Sequence, residues 1–248
     1  MPAPLEDIWV FFESLKTPNS KIVVIIPAYN EEKAIGQVVK GIPRDWVHEV
    51  IVVDNGSSDS TAAVAARNGA KVVSESRRGY GSACLSGISH LPQDTEVVVF
   101  MDGDYSDQPE EVKDLLSALW SQHADLVIGS RVLGRHEKGS LTLAQRTGNW
   151  LSTRFIQWIY GFVYTDLGPF RAIKRRSLER LKMQDRNYAW TVEMQVKALQ
   201  QGLRVIEIPV SYRKRIGKSK ISGTISGTIK AGFKILWMIG KLALHNHH

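Results

Sequence analysis

The sequence predicts an α/β fold built on a mainly parallel, doubly wound, Rossmann-like sheet that is flanked by helices. From residue 21 to residue 128, runs of β-branched residues alternate with helix-like segments. These strand-like runs are apolar throughout, which is typical of parallel strands covered on both faces. At 248 residues, 43% of them hydrophobic, the chain is long enough for one sizeable core.

The predicted elements follow one another in order along the chain. Strands are predicted over residues 21–26, 49–53, 71–74, 96–101, 125–128 and 204–210, and helices over 31–40, 60–68, 82–90, 110–122, 144–160 and 190–201. Pro109 suits the first turn of the fourth helix. Residues 164–172, which contain Gly168-Pro169, are predicted to form a loop. We divide the chain into an N-terminal extension (1–20), a catalytic domain (21–220) and an amphipathic C-terminal helical segment (221–248).

Two carboxylates stand at the end of the apolar run 97–101. Asp102 and Asp104 are separated only by Gly103, and charged side chains belong at the mouth of such a strand because burying them is costly. Paired carboxylate oxygens suit Mg²⁺ or Mn²⁺, which proteins usually hold together with substrate phosphates. A plain Asp-Gly turn is the alternative. Tyr29 and Asp54 also follow predicted strands, so all these side chains should meet at one edge of the sheet.

The C-terminal part of the chain is basic. No acidic residue follows Glu207, whereas eight Lys or Arg residues do. Such a segment suits a diphosphate or an anionic membrane, and no zinc-finger or RNA-binding signature favours nucleic acid. Residues 221–244 are apolar and aromatic with interspersed lysines, which predicts a helix at a membrane surface that residues 8–12 could join. A helix packed on the body or on a second subunit is the alternative, and homo-oligomerisation is left open.

Four motifs occur in an order that resembles glycosyltransferase family 2. They are Pro27-Ala28-Tyr29-Asn30-Glu31, Asp54-Asn55-Gly56-Ser57, Asp102-Gly103-Asp104 and Gly129-Ser130-Arg131. The resemblance covers roughly residues 21–220. The basic loop 215–220 is similar to one in the polyprenyl-phosphate sugar synthases of that family. Asn55 departs from the subgroup, which commonly has two consecutive aspartates here. The subgroup also has a Ser-Gly-Phe-Arg element, which in this chain is replaced by Leu167-Gly168-Pro169-Phe170-Arg171.

The resemblance implies the GT-A fold and a nucleotide-diphosphate sugar as donor. It implies that the donor is bound by Pro27, Tyr29, Glu31, Asp54, Asp102, Gly103 and Asp104, the metal by Asp102 and Asp104, and phosphate charge by Arg131, Arg171, Arg213, Lys214, Arg215 and Lys220. Guanidinium groups pair well with phosphate oxygens. The segment 77–82, rich in glycine and cations, is predicted to be a connection into a helix rather than part of the site.

The predicted reaction is an inverting single displacement onto a polyprenyl phosphate, because the residues suggest no enzyme nucleophile. A lipid phosphate is already anionic and needs no general base, whereas a hydroxyl acceptor does. Glu193 is the first candidate base and Asp166 the second, with a structural role for Glu193 as the alternative. The rival functions are a soluble glycosyltransferase with a hydroxyl acceptor and a non-catalytic scaffold.

The expected location is the cytoplasm, on the inner face of a membrane. Cys84 is the only cysteine, and the N-terminus shows no secretory signal.

Overall fold

The computed structural model describes residues 20–217 and 225–244, with side chains of the second range from residue 232 onward. The strands are β1 (Lys21–Ala28), β2 (Glu49–Asp54), β3 (Lys71–Ser74), β4 (Thr95–Phe100), β5 (Leu126–Ser130), β6 (Arg171–Lys174) and β7 (Val205–Pro209). The helices are α1 (Ile35–Gly41), α2 (Thr61–Arg67), α3 (Tyr80–Ser89), α4 (Val112–Ser121), α5 (Leu143–Tyr160), α6 (Arg175–Leu181), α7 (Trp190–Gln200) and α8 (Ile225–Leu244). A 3₁₀ turn, Pro109–Glu111, precedes α4.

The strands form one sheet in the order β3-β2-β1-β4-β6-β5-β7. Only β6 runs antiparallel to its neighbours β4 and β5, so the prediction of a mainly parallel, doubly wound sheet is confirmed. Chain order reverses beside β1, which lies between β2 and β4. Ligands of such sheets bind at the carboxyl ends of the strands beside this reversal.

Apolar layers cover both faces of the sheet. On β1, Val23 and Ile25 belong to the layer that includes residues of α3, α7 and α8. Val24 and Ile26 belong to the opposite layer, which includes residues of α1 and α4. Successive strand residues point to opposite faces, so a fully apolar strand is what a sheet covered on both sides requires.

The structure differs from the sequence-based expectation at three places. β6 occupies part of the predicted loop 164–172, and α6 was not predicted at all. The sequence of β6, Arg-Ala-Ile-Lys, has charges at both ends of four residues, which hides its strand character. The first helix begins at Ile35 rather than residue 31, because Glu31 to Ala34 form a turn in which the Glu31 carbonyl accepts from two backbone N–H groups.

In the part of the chain that the structure describes, no helix is long and apolar enough to cross a bilayer. Residues 1–19 of the proposed N-terminal extension, and Lys220, lie outside the described residues.

Candidate active site

A cleft of about 260 Å³ lies at the carboxyl ends of β1 and β4, beside the reversal in chain order. The structure brings together here seven of the residues that the sequence predicted for the site: Pro27, Tyr29, Glu31, Asp102, Gly103, Asp104 and Arg215. These seven residues come from three separate segments of the chain, so the cleft exists only in the folded protein. We call it the donor cleft.

Asp102 and Asp104 form the acidic floor of the donor cleft. Burial and the charge of Asp104 raise the pKa of Asp102 to about 7, against the opposing effect of the nearby guanidinium groups. Oδ1 of Asp104 accepts from the backbone N–H of Ser106 at 2.9 Å, and Oδ2 pairs with Arg215. This backbone bond and the Arg215 pair fix the orientation of the Asp104 carboxylate.

A third carboxylate, Asp107, lies beneath these two. It is fully buried, its Oδ2 faces the backbone N–H of Asp102 at 3.4 Å, and its Oδ1 has no hydrogen-bond partner among the described residues. Burial and the charge of Asp102 raise the pKa of Asp107 well above the usual aspartate value. Three carboxyl groups are therefore crowded at this end of β4, and burial favours the protonated form of Asp107.

The donor set fits a divalent cation. The raised pKa of Asp102 shows that its charge is costly beside Asp104, and a cation between the two carboxylates would lower that cost. Among the described residues no group of three or more acidic, histidine or cysteine side chains could hold a metal. A cation here would need further ligands from substrate phosphates and water, as Mg²⁺ commonly does.

The wall of the donor cleft includes an aromatic–cation stack. Cζ of Arg78 lies 3.9 Å from the centre of the Tyr29 ring, and both side chains line the cleft. Asp54, which the sequence assigned to the same wall, does not line the cleft. Its Oδ1 accepts from the backbone N–H of Ser57 at 3.1 Å and so shapes the turn after β2.

Asn55 braces the loop that carries Arg78. Its Nδ2 donates to the carbonyls of Glu75 and Arg77 at 3.0 and 2.8 Å, and its Oδ1 accepts from the N–H of Gly79 at 2.8 Å. An aspartate could not supply these two donors. The departure from the family pattern at this position therefore has a local structural reason.

The start of α3 lies against the backbone of residues 185–187. The N–H groups of Gly81 and Ser82 donate to the carbonyls of Asn187 and Arg186 at 3.2 and 3.0 Å. A Cβ atom at Gly79 or Gly81 would lie about 2 Å from a carbonyl oxygen of this segment. The glycines thus permit a close approach that brings Tyr80 and Tyr188 to the donor cleft.

Arg131 and Asp166 form a buried ion pair beside a second cleft of about 470 Å³. Nε and Nη2 of Arg131 each lie 2.7 Å from one carboxylate oxygen of Asp166, and the Arg131 N–H also donates to it at 2.9 Å. Asp166 is only 1% exposed. Its carboxylate is thus committed to Arg131, which leaves it poorly placed to accept a substrate proton.

The second cleft has cationic and apolar walls. Arg146, Arg154, Trp150 and Val163 line it together with the Arg131–Asp166 pair. The positive charge of Arg131 also lowers the pKa of Asp102 in the donor cleft, although burial and Asp104 raise it further. We call the second cleft the acceptor-side cleft.

Three other predicted cations lie outside both clefts. Arg171 is fully buried and donates to the carbonyl of Thr191 at 3.0 Å and to that of Gly168, and burial lowers its pKa to about 10. Arg213 lies over the Tyr105 ring at 3.8 Å and pairs with Gln108. Lys214 is exposed. The structure therefore brings Arg215, but not these three, to the donor cleft.

Glu193 does not line either cleft. Its carboxylate accepts from the backbone N–H groups of Gln184 and Asp185 at 3.0 and 2.7 Å, and it pairs with Lys197 at 2.6 Å. At 2% exposure these contacts occupy it fully. The surroundings support the structural alternative for Glu193 and give the catalytic-base interpretation no support.

Sequence reasoning missed several residues that form the site. Arg78, Tyr80 and Tyr188 line the donor cleft, and Asp107 lies beneath it. The spacing of Asp102, Asp104 and Asp107 was a readable signal. Tyr188 reaches the cleft only through the contact of residues 185–187 with α3, which no local pattern discloses.

The fold and the donor cleft define an α/β protein that binds its ligand at the switch point of a doubly wound sheet. A model described as glycosyl transferase family 2 matches residues 23–182. An uncharacterized glycosyltransferase of Mycobacterium bovis is 38% identical over 214 residues, covering 85% of this chain and 94% of that protein. The chain belongs to glycosyltransferase family 2 and is a glycosyltransferase.

Two further proteins extend the comparison. The undecaprenyl-phosphate mannosyltransferase of Micrococcus luteus is 31% identical over 221 residues, covering 84% of this chain and 90% of that protein. The structure is also similar to a crystal structure of glucosyl-3-phosphoglycerate synthase from Mycobacterium tuberculosis, which contains Mn²⁺, UDP-glucose and phosphoglyceric acid. The TM-score is 0.76 at 22% sequence identity, and the match covers 94% of this chain and 82% of that one. The fold is that of the GT-A glycosyltransferases, as the sequence predicted.

Proposed function

We propose that this glycosyltransferase moves a sugar, with inversion, from a nucleotide-diphosphate sugar to a polyprenyl phosphate at the inner face of a membrane. The observation that carries the proposal is the acceptor-side cleft, where arginines and apolar side chains occur together. A phosphate head group attached to an isoprenoid chain presents the matching chemistry. The name of the Micrococcus luteus relative supports the same class of acceptor.

The acceptor-side cleft also bears on the choice between a phosphate and a hydroxyl acceptor. Among the described residues that line it, Asp166 is the only carboxylate, and Arg131 holds both of its oxygens. A hydroxyl acceptor needs a group to receive its proton, whereas a phosphate is already an anionic nucleophile. The lining therefore offers no free carboxylate as a base, and His136 is the side chain that a hydroxyl acceptor would have to use. Its arginines match a phosphate.

In the donor cleft we assign Asp102 and Asp104 to the metal and Arg215 to the diphosphate. A bound Mg²⁺ or Mn²⁺ supplies Lewis-acid stabilisation of the leaving diphosphate. Tyr29 offers an aromatic face for the base, and Arg215 adds positive charge where the leaving group develops negative charge. Arg131, which lines the acceptor-side cleft, would orient the acceptor phosphate.

The rival is a family 2 glycosyltransferase with a small hydroxyl acceptor. A sugar-transfer assay with Mn²⁺, UDP- and GDP-sugars and detergent-solubilised undecaprenyl phosphate separates the two. We expect transfer to the lipid phosphate, and a fall of about tenfold or more in Arg146→Ala but not in Arg67→Ala, an exposed arginine on α2. Transfer only to hydroxyl compounds, or equal effects of the two substitutions, would contradict the proposal.

A further inference from the structure

Exposed apolar side chains are concentrated on two neighbouring helices. Of eleven large hydrophobic or aromatic side chains that are exposed in the described residues, eight lie on α5, on α8 or in the loop after α5. They are Leu143, Trp150, Leu151, Trp158, Val163, Phe233, Trp237 and Leu244. Contiguous exposed apolar surface of this kind marks an interaction site.

On α5 these side chains follow helical spacing. Leu143, Trp150, Leu151 and Trp158 recur at intervals that place them along one side of the helix, while Ile156 faces the core. Trp158 is 80% exposed although it stacks on Phe155 at 5.9 Å. The outer side of α5 therefore exposes four large apolar side chains beside two arginines, Arg146 and Arg154.

The same arrangement occurs on α8. Phe233, Trp237 and Leu244 recur at intervals of four and seven residues and are exposed, whereas Met238 and Ile239 are buried. The helix packs against α5 and α7. Gln200 of α7 fixes the junction, since its Nε2 donates to the Leu242 carbonyl at 2.8 Å and to the Tyr160 hydroxyl at 3.3 Å.

The charges on this surface have a single sign. Residues 143–163 and 225–244 contain no Asp or Glu. Arg146, Arg154 and Lys241 are exposed, and Nζ of Lys241 lies 5.1 Å from the centre of the Trp237 ring. Tryptophan and basic residues on an apolar helix face are typical of helices at the interface of an anionic bilayer.

We propose that the outer sides of α5 and α8, together called the α5–α8 surface, dock on an anionic lipid bilayer. Trp150, Arg154 and Val163 belong both to this surface and to the lining of the acceptor-side cleft. A lipid phosphate would thus enter the cleft directly from the membrane. Only this last step rests on the proposed acceptor; the docking itself does not.

A second copy of the chain fits the same surface less well. A two-fold symmetric contact would place the cations of one α5–α8 surface against those of the other, with no acid from either helix to pair with them. Lipid head groups of phosphatidylglycerol supply negative charge that neither helix carries. Charge complementarity therefore selects the bilayer.

Flotation with vesicles, without donor or acceptor, tests the docking. The full chain should float with vesicles of phosphatidylcholine and phosphatidylglycerol, less well with phosphatidylcholine alone, and less well at high salt. The double substitution Trp158→Ser/Phe233→Ser should weaken vesicle binding by about tenfold or more at an unchanged melting temperature. Lys241→Ser should weaken binding to the anionic vesicles, whereas Lys40→Ser, an exposed lysine on α1, should not.

The inference is overturned if the parent does not float, or if the double variant floats as well as the parent. It is also overturned if the parent is a dimer that ignores vesicles and the double variant is a monomer, since a second copy then covers the surface. Vesicle binding combined with no transfer to polyprenyl phosphate would leave the docking intact and remove the proposed acceptor. Transfer to solubilised lipid phosphate without vesicle binding would leave the proposed acceptor intact and overturn the docking.

Discussion

Arg131 and Asp166 form a bidentate pair in which Nε and Nη2 of the arginine each lie 2.7 Å from a different carboxylate oxygen. The aspartate was a candidate base in the sequence, and the arginine a candidate phosphate ligand. Their pairing joins the two roles: the carboxylate fixes the direction of the guanidinium, which lines the acceptor-side cleft. Asp166 is therefore best described as a positioning residue.

Asp166→Asn should cost stability as well as activity. It leaves the largely buried guanidinium of Arg131 without its countercharge, so we expect the free energy of unfolding to fall by about 3 kcal/mol. The KM for the acceptor should rise because Arg131 loses its orientation. Urea denaturation and steady-state kinetics measure the two effects, with Asp94→Asn, an exposed pair partner of Lys21, as control. If Asp166→Asn loses turnover while its stability and its KM for the acceptor stay unchanged, Asp166 is instead a general base.

Asp102→Asn should make the metal-free protein less sensitive to pH. Because the folded-state pKa of Asp102 is raised to about 7, the native state holds this proton more tightly than the unfolded state. The contribution of Asp102 to stability therefore falls as pH rises from about 4 to about 7. Urea denaturation in EDTA at pH 5 and pH 8 should show a smaller fall in the variant.

The same variant separates stability from function. Asp102→Asn should be more stable than the parent at pH 8, yet lose the thermal stabilisation that Mn²⁺ and donor give the parent. Identical pH dependence in the two proteins would show that Asp102 is not the strained group.

Asn55→Asp restores the family pattern and should nevertheless destabilise this chain. The substitution places a carboxylate oxygen against the carbonyls of Glu75 and Arg77, where Nδ2 now donates. We expect a loss of about 1–3 kcal/mol in the free energy of unfolding and weaker donor binding, because the loop carries Arg78. Chemical denaturation and donor titration check both effects, and an unchanged or more stable variant contradicts the role given to Asn55.

Two glycine substitutions form a matched pair. At Gly81 a Cβ atom would lie 2.0 Å from the carbonyl oxygen of Asp185, whereas at Gly148 in α5 nothing lies within 4 Å. Gly81→Ala should therefore lower the melting temperature and raise the donor KM, because it displaces Tyr188. Gly148→Ala should stabilise the protein by up to about 1 kcal/mol through helix propensity. Similar effects at both sites would disprove the close approach of residues 185–187 to α3.

The sequence predicts well what local pattern and chain order decide. Apolar runs identify the parallel strands, and the residues that follow them, such as Tyr29, Asp102 and Asp104, meet at the sheet edge as expected. It predicts poorly what distant contacts decide. Arg171 lies in a strand because its guanidinium finds buried carbonyl partners, and Glu193 is occupied by backbone N–H groups of another segment. Neither partner can be found from spacing, although Lys197, four residues after Glu193, was a local hint.

The most direct measurement is a competition between two acceptors in one reaction. The parent protein, Mn²⁺ and a nucleotide-sugar donor identified by thermal stabilisation are incubated with equal amounts of undecaprenyl phosphate and undecaprenol, and the products are separated by mass. We expect sugar on the phosphate only, with inverted anomeric configuration, and no product from Asp104→Asn. Sugar on the alcohol, or equal product from Asp104→Asn, would disprove the proposed transfer to a lipid phosphate.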